Sequence, residues 1–324
     1  IFFVLMHFIK DISHALIFSL IFLMYFCVVS CSTLRPTVLM HGIHNSSANM
    51  DNVQSWIKEA SPDTYVLNVE LGDGVFDSIF GDITKWALDF IEIVGTDEVI
   101  SEFGSFNLIC HSQGNMFCLY YLGMYNSSFA KEQLPDYDLD SFPTVYNYMS
   151  LAAPAAGYFG DNSMFQFMGL ETNDIARVGG SIIYTPDIIQ LLVNPSGYWR
   201  DPMHLDVYRQ LSLFLPILNN EISHPDFALN KQNRMSLNYY KMFGSPNDGI
   251  ISPYQSTWYG YFKEGTLEEF VTAEETDTWE NVGLKDLDEA GKLEFVDSGF
   301  YHTDYLNDCG KAFFEGQILP YLLN

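Results

Sequence analysis

An α/β fold on a mostly parallel sheet is predicted by three features of the sequence. Short apolar runs of strand length alternate with stretches of helical periodicity. The alternation lapses once, into a long apolar insertion punctuated by prolines. It then resumes with two further strands and a last helix. Consecutive strands separated by helices pair in parallel, with helices on both faces, and 324 residues suffice for one large domain with its own core.

Thr37–Met40 is a strand-length apolar run that ends at His41-Gly42. Residues 50–60 carry Val53, Trp56, Ile57 and Ala60 at helical spacing, so one face is apolar. Residues 64–71 return as a strand, 83–94 as a helix, 106–110 as a strand, 113–125 as a helix and 146–151 as a strand. Residues 158–237 are rich in Phe, Met, Leu and Ile, with Pro186, Pro195, Pro202 and Pro216 as breakers. They are expected to form a mostly helical cap insertion over the carboxyl edge of the sheet. Strands at 239–243 and 293–296 and a helix over 307–323 complete the pattern.

Charge narrows the function classes. The chain carries 41 acidic and 15 basic side chains, a formal net charge of −26. Such a field repels phosphate backbones and anionic lipid, so nucleic acid is excluded as a partner. It suits an acidic lumen, although solubility accounts for it equally well. Residues 12–34 contain no Asp, Glu, Lys or Arg, follow Lys10, and place Val28 and Ser30 at the −3 and −1 positions of a cut after Ser30. Residues 1–30 are expected to be a secretory signal peptide with Met6 as a candidate start, and residues 31–324 the mature domain. An uncleaved membrane anchor is the competing reading, since ~20 apolar residues span a bilayer.

Of five cysteines, Cys27 leaves with the signal and Cys31 sits at the new terminus, leaving Cys110, Cys118 and Cys309. Three are too few for a disulfide framework, and Cys110 and Cys118 are expected to be buried free thiols. No CxxC or Cys/His cluster points to a metal, and none is expected. Asn45-Ser46-Ser47 and Asn126-Ser127-Ser128 are N-glycosylation candidates, in keeping with the secretory reading.

The strongest chemical signal is Cys110-His111-Ser112-Gln113-Gly114 at a strand–helix junction. A serine there sits on a sharp turn that lifts its hydroxyl above the sheet, beside the positive end of the next helix. The usual pattern has glycine two places before the serine, and here Cys110 takes that place. A serine hydroxyl needs a base, and the base needs an orienting acid. In the α/β-hydrolase fold these follow the nucleophile in the order acid, then histidine. Asp248, in a turn after the strand at 239–243, and His302, after the strand at 293–296, fit that order. His41, His44, His111, His204 and His224 fit it less well, and Asp297 and Asp304 read as solvated carboxylates. Backbone N–H groups of Gln113 and of Ile43, in the loop after the first strand, are the candidate oxyanion donors. The chemistry calls for no cofactor.

The chain resembles the palmitoyl-protein thioesterase family from about residue 35 to 323. The resemblance rests on His41-Gly42-Ile43, Ser112-Gln113-Gly114, Tyr198-Trp199-Arg200-Asp201-Pro202, Asp206-Val207-Tyr208-Arg209, Leu218-Asn219-Asn220-Glu221, Asn247-Asp248, Trp258-Tyr259-Gly260-Tyr261 and residues 283–292. It implies an α/β-hydrolase fold with Ser112, Asp248 and His302 as a triad and Ile43 and Gln113 shaping the oxyanion hole. It also implies removal of long acyl chains from cysteine thioesters of an S-acylated protein or acyl-CoA through an acyl-serine, in a lysosome-like compartment or after secretion. An apolar acyl groove in the cap is expected, with Phe159, Phe165, Phe167 and Trp199 as candidates; ordinary core packing explains each of these equally well. Two departures from the family pattern stand out: Cys110 replaces the first elbow glycine, and the cysteines of the disulfides typical of animal members are missing. Two other readings use the same residues: an oxygen-ester lipase, or an acyl-binding protein without turnover.

Overall fold

A computed structural model describes residues 34–160, Tyr184 and residues 188–323. The candidate signal segment at 1–30 and much of the cap, residues 161–183 and 185–187, lie outside the described residues. The strands are β1 (Thr37–Met40), β2 (Val66–Val69), β3 (Ser105–His111), β4 (Thr144–Leu151), β5 (Tyr239–Gly244), β6 (Tyr261–Phe262), β7 (Phe270–Val271) and β8 (Leu293–Asp297). Six of them form one sheet in the order β2-β1-β3-β4-β5-β8, parallel throughout. β6 and β7 make a separate antiparallel pair that the sequence pattern did not signal, each being two residues long.

Around the sheet run α1 (Asp51–Ala60), α2 (Ile83–Thr96), α3 (Glu98–Phe103), α4 (Gly114–Met124) and α5 (Ser128–Gln133). The described cap carries α6 (Ile188–Leu192), α7 (Leu205–Leu211), α8 (Leu215–Leu218) and α9 (Phe227–Met235). α10 (Thr278–Asn281) and α11 (Leu284–Glu289) precede β8, and α12 (Lys311–Gln317) and α13 (Leu319–Leu322) follow it. Local chemistry sets several starts: Asp82 accepts from the N–H of Thr84 at the head of α2, and Asp97 accepts from Val99 and Ile100 at the head of α3. The expected last helix is broken in two, because Pro320 lies in the first turn of α13 and cannot continue α12.

Side chains alternate between the two faces of the sheet with period two. Val38, Met40, Leu108, Cys110 and Tyr148 join Leu88, Phe90, Ile91 and Val94 of α2 and residues 116–122 and Met124 of α4 in one cluster. Leu39, Ile109 and Met149 join Val53, Trp56 and Ile57 of α1 with Phe314 and Ile318 in the other. All eleven residues of α4 are buried, which explains why its sequence is apolar all round rather than amphipathic. Among the described residues no helix is long and apolar enough to cross a membrane.

One cysteine expectation is overturned. Cys110 and Cys118 are joined by a disulfide, with Cα atoms 6.6 Å apart. The turn at Ser112 folds α4 back beside the end of β3. A residue in the second turn of the helix therefore comes within bridging distance of the strand, a proximity that a separation of eight residues does not reveal. Cys309 is free and exposed.

Candidate active site

Ser112 joins β3 to α4 with φ 53°, a left-handed conformation that a non-glycine residue keeps only when its surroundings impose it. Its N–H donates to Leu151 O at 2.9 Å, tying the turn to the end of β4. Asn115 braces it from within the helix: its Nδ2 donates to Ser112 O at 2.9 Å and to Leu151 O at 3.1 Å, while its Oδ1 accepts from the Tyr148 hydroxyl at 2.7 Å. Gly114 is required by space, since a Cβ there would collide with the carbonyl oxygen of His41. Gly42 is required for the same reason and not for its backbone angles: a Cβ would lie 2.8 Å from Ser112 Cβ. The loop after β1, with Ile43 next in line, thus lies directly against the serine.

His302 Nε2 is 2.9 Å from Ser112 Oγ, and His302 Nδ1 is 2.9 and 3.0 Å from the two oxygens of Asp248. With the carboxylate accepting from Nδ1–H, Nε2 is the ring atom left to accept from the serine hydroxyl. The three side chains are all buried, His302 the most exposed at 8%. Asp248 Oδ1 also accepts from the N–H groups of Ile250 and Ile251 at 3.0 and 2.7 Å. Burial alone would raise the pKa of this carboxyl. The hydrogen bond and charge of His302, with the two backbone donors, outweigh it and hold the group below the ordinary carboxylate value.

The backbone of His302 is clamped as well. Its N–H donates to Asp248 O at 3.0 Å, and its carbonyl accepts from His111 Nε2 at 2.8 Å. His111 is fully buried, with its ring centroid 4.8 Å from that of His302. Burial first, and the neighbouring His302 second, push its pKa down to about 3, so it stays neutral and keeps the proton on Nε2 for this bond. The sequence placed His111 beside the nucleophile without a role. Asp297 and Asp304 accept from the N–H groups of Gly299 and Tyr301 and shape the loop that carries His302.

The structure therefore brings Ser112, Asp248 and His302 into one hydrogen-bonded line, with Ile43 and Gln113 flanking the serine. Among the described residues neither the Ile43 nor the Gln113 N–H donates to a protein acceptor. The Gln113 side chain is fully engaged: Nε2 donates to Ser78 O at 2.6 Å and Oε1 accepts from the Tyr198 hydroxyl at 2.9 Å. Asn115, Tyr148 and Ser78 carried no sequence signal, because each acts across elements that only the fold brings together. His41 is occupied elsewhere, Nε2 lying 3.0 Å from Glu70 Oε1, and His204 pairs with Asp201 at 2.9 Å.

The two glycosylation candidates differ. Asn45 is partly exposed in the loop after β1, whereas both amide atoms of Asn126 are hydrogen-bonded, Nδ2 to Asp140 at 3.1 Å and Oδ1 to Asn233 at 2.9 Å. Of the candidate groove residues, Phe159 and Trp199 are buried against each other with ring centroids 4.9 Å apart, and Phe165 and Phe167 lie outside the described residues. An apolar cavity of about 460 Å³ is lined by Ile83, Tyr120, Met124, Leu191, Phe214 and Ile217, among others; no triad residue borders it.

Residues 36–302 match the family model for palmitoyl protein thioesterase. Palmitoyl-protein thioesterase 3 of Dictyostelium discoideum is 34% identical, over 94% of this chain and 98% of its own length. Lysosomal thioesterase PPT2 of Homo sapiens is 27% identical, over 89% of this chain and 88% of its own.

Proposed function

The chain belongs to the palmitoyl protein thioesterase family, and on that premise we propose that it hydrolyses long-chain acyl thioesters with Ser112 as nucleophile, His302 as base and Asp248 as orienting acid. The observation that carries this reading is the unbroken hydrogen-bond line Ser112 Oγ–His302 Nε2, His302 Nδ1–Asp248. The substrate class is a palmitate-like acyl group on a protein cysteine or on CoA.

In the first half-reaction Ser112 Oγ bonds to the thioester carbon while its proton passes to His302 Nε2. The carbonyl oxygen takes up the displaced electron pair and meets the N–H groups of Ile43 and Gln113, which are already oriented before charge develops. Collapse of this intermediate breaks the C–S bond, and the departing sulfur receives the proton from His302 Nε2. In the second half, water gives a proton to the same nitrogen and bonds to the acyl carbon. The C–Oγ bond then breaks, Ser112 recovers its proton, and the fatty acid leaves. Asp248 remains charged throughout, as its lowered pKa allows, and stabilises the imidazolium of each half-reaction.

Purified protein is expected to hydrolyse palmitoyl-CoA or a palmitoyl-cysteine peptide. Mass spectrometry should find the acyl group, or a fluorophosphonate, on Ser112, and Ser112→Ala should abolish both turnover and labelling. Folded wild-type protein inactive on both substrates would overturn the reading. Matched oxygen-ester substrates measure how far kcat/KM favours sulfur.

The reading places the protein in the secretory pathway, in a lysosome-like compartment or outside the cell. The apolar, uncharged segment 12–34 and relatives named as lysosomal thioesterases support this. Glycan is expected on Asn45 in preference to Asn126, whose Nδ2 is already bonded to Asp140. Loss of an endoglycosidase-sensitive mass in Asn45→Gln, and none in Asn126→Gln, checks it.

A further inference from the structure

We propose that Ser78 is a positioning residue that aligns both donors of the oxyanion hole; this rests on the assignment of Ser112 as nucleophile with Ile43 and Gln113 as donors. Ser78 belongs to neither motif. It lies in the loop between β2 and α2, buried, and reaches both donor segments at once. Its carbonyl accepts from Gln113 Nε2 at 2.6 Å, and its hydroxyl accepts from the N–H of His44 at 2.7 Å. The same hydroxyl donates to Val75 O at 2.8 Å, so its proton is committed and its lone pair faces His44.

The geometry gives these two bonds a purpose. Fixing the His44 N–H fixes the peptide that follows Ile43, while Gly42, packed on Ser112, fixes the peptide that precedes it. His44 itself has φ 56°, a conformation that this bond helps to hold. On the other side, holding the Gln113 side chain at both ends sets the direction of its Cα–Cβ bond and with it the aim of its N–H. Ser78 is rigid enough to act this way because the cap grips the loop on either side of it: Asn194 Nδ2 donates to Asp77 O at 2.8 Å, and the Asn194 N–H donates to Ile79 O at 3.0 Å. Tyr198, on the same 3-10 segment, completes the frame through Gln113 Oε1.

The test compares Ser78→Ala and Ser78→Thr with wild type on one thioester substrate, alongside affinity for a long-chain trifluoromethyl ketone, whose adduct places an oxyanion at the same spot. Removing a whole oxyanion donor costs about 10²–10³ in kcat; Ser78→Ala keeps the carbonyl that holds Gln113 and loosens only the Ile43 side, which is expected to cost about tenfold. Ser78→Ala should therefore lower kcat about tenfold with KM within about twofold, weaken the ketone by the same factor, and leave the melting temperature near that of wild type. Ser78→Thr, which keeps the hydroxyl, should recover most of the loss. Should Ser78→Ala fold poorly, Gln113→Met supplies the second arm: it keeps the backbone N–H, removes both side-chain bonds, and should show the same split between kcat and KM. Unchanged kcat, or kcat, KM and melting temperature shifting together in both Ser78 variants, overturns the positioning role while leaving the nucleophile assignment intact. An inactive wild type, or an active Ser112→Ala, removes that assignment and this proposal with it.

Discussion

The elbow at Ser112 and the root of the cap at Arg200 both bury polar groups, and they use them in opposite ways. At the elbow, Leu151 and Asn115 bond the backbone around Ser112, Tyr148 bonds Asn115 and Ser78 bonds the Gln113 side chain, while among the described residues the Ile43 and Gln113 N–H groups donate to no protein acceptor. At the cap root, opposite charges pair with one another. Arg200 Nη2 lies 3.2 Å from Glu221 Oε2, and Arg200 Nη1 donates to Ala156 O at 2.9 Å. The guanidinium stands 4.5 Å from the ring of Tyr261, and the Tyr208 hydroxyl donates to Glu221 Oε1 at 2.9 Å. Burial opposes the Arg200 charge, yet Glu221 beside it holds the pKa above the ordinary value. Nearby, Arg234 bonds to Leu218 O, Tyr259 and Asn230, and Asn219 Nδ2 bonds to Ala155 O. The stretches around Tyr198–Pro202 and Leu218–Glu221 are as family-like as the serine motif, yet their charges hold the cap to the sheet. The difference lies in what the buried groups meet: at the elbow a serine hydroxyl meets a histidine ring nitrogen, at the cap root a guanidinium meets a carboxylate.

The sharpest way to break this contrast is at the elbow. Asp248→Asn keeps the shape but favours the wrong His302 tautomer, and kcat should fall about 10⁴-fold with little change in stability. A loss smaller than tenfold in steady-state assays would mean that Asp248 does not orient the base. At the cap root the expected effect falls on stability instead. Arg200→Met leaves Glu221 buried without its cation and should cost about 3–5 kcal/mol in urea unfolding, most of it recovered in the double variant Arg200→Met/Glu221→Leu. If the double variant is no more stable than the single one, the two charges do not act as a pair.

The disulfide joins the two kinds of region, since Cys110 stands at the elbow and Cys118 deep in α4. Replacing both with alanine should lower unfolding free energy by about 2–3 kcal/mol, the loop-closure value for so short a loop, with kcat/KM retained. A large loss of activity at unchanged stability would give the bridge a part in aligning Ser112.

The smallest effect concerns acid. An unfolded histidine binds its proton near pH ~6.5, whereas His111 in the folded protein does so only at about 3. Its contribution to stability is therefore complete above the unfolded value and is lost as pH falls from there towards the folded one. The loss amounts to about 2 kcal/mol by pH 5. His111→Asn, which can still donate to His302 O, should flatten the decline in unfolding free energy between pH 7 and pH 5 by that amount. An unaltered profile would show that His111 does not carry this penalty.

Much of the Ser112–His302–Asp248 line is legible in the sequence. A serine between a strand and a helix, an aspartate in the turn after one later strand and a histidine after the next are positions that topology alone brings to one sheet edge. Alternating apolar runs likewise marked the six strands of the main sheet and their parallel pairing, but not their spatial order. The disulfide is not legible, because eight residues of separation say nothing about a turn that reverses direction. His111 and Ser78 carry no sequence signal because their partners are a backbone carbonyl and a backbone N–H, groups common to almost every residue.

Local rules of strand alternation, helix periodicity and turn chemistry thus determined the main sheet strands, most helices between them and which three side chains meet. What only the tertiary structure decided is how the site is held. That Ser78 bonds both the His44 N–H and the Gln113 side chain, and that His111 donates to the His302 carbonyl, depends on backbone atoms meeting partners across long sequence separations. Backbone N–H and C=O groups are the same at every residue but proline, so no pattern of side chains records where they will meet.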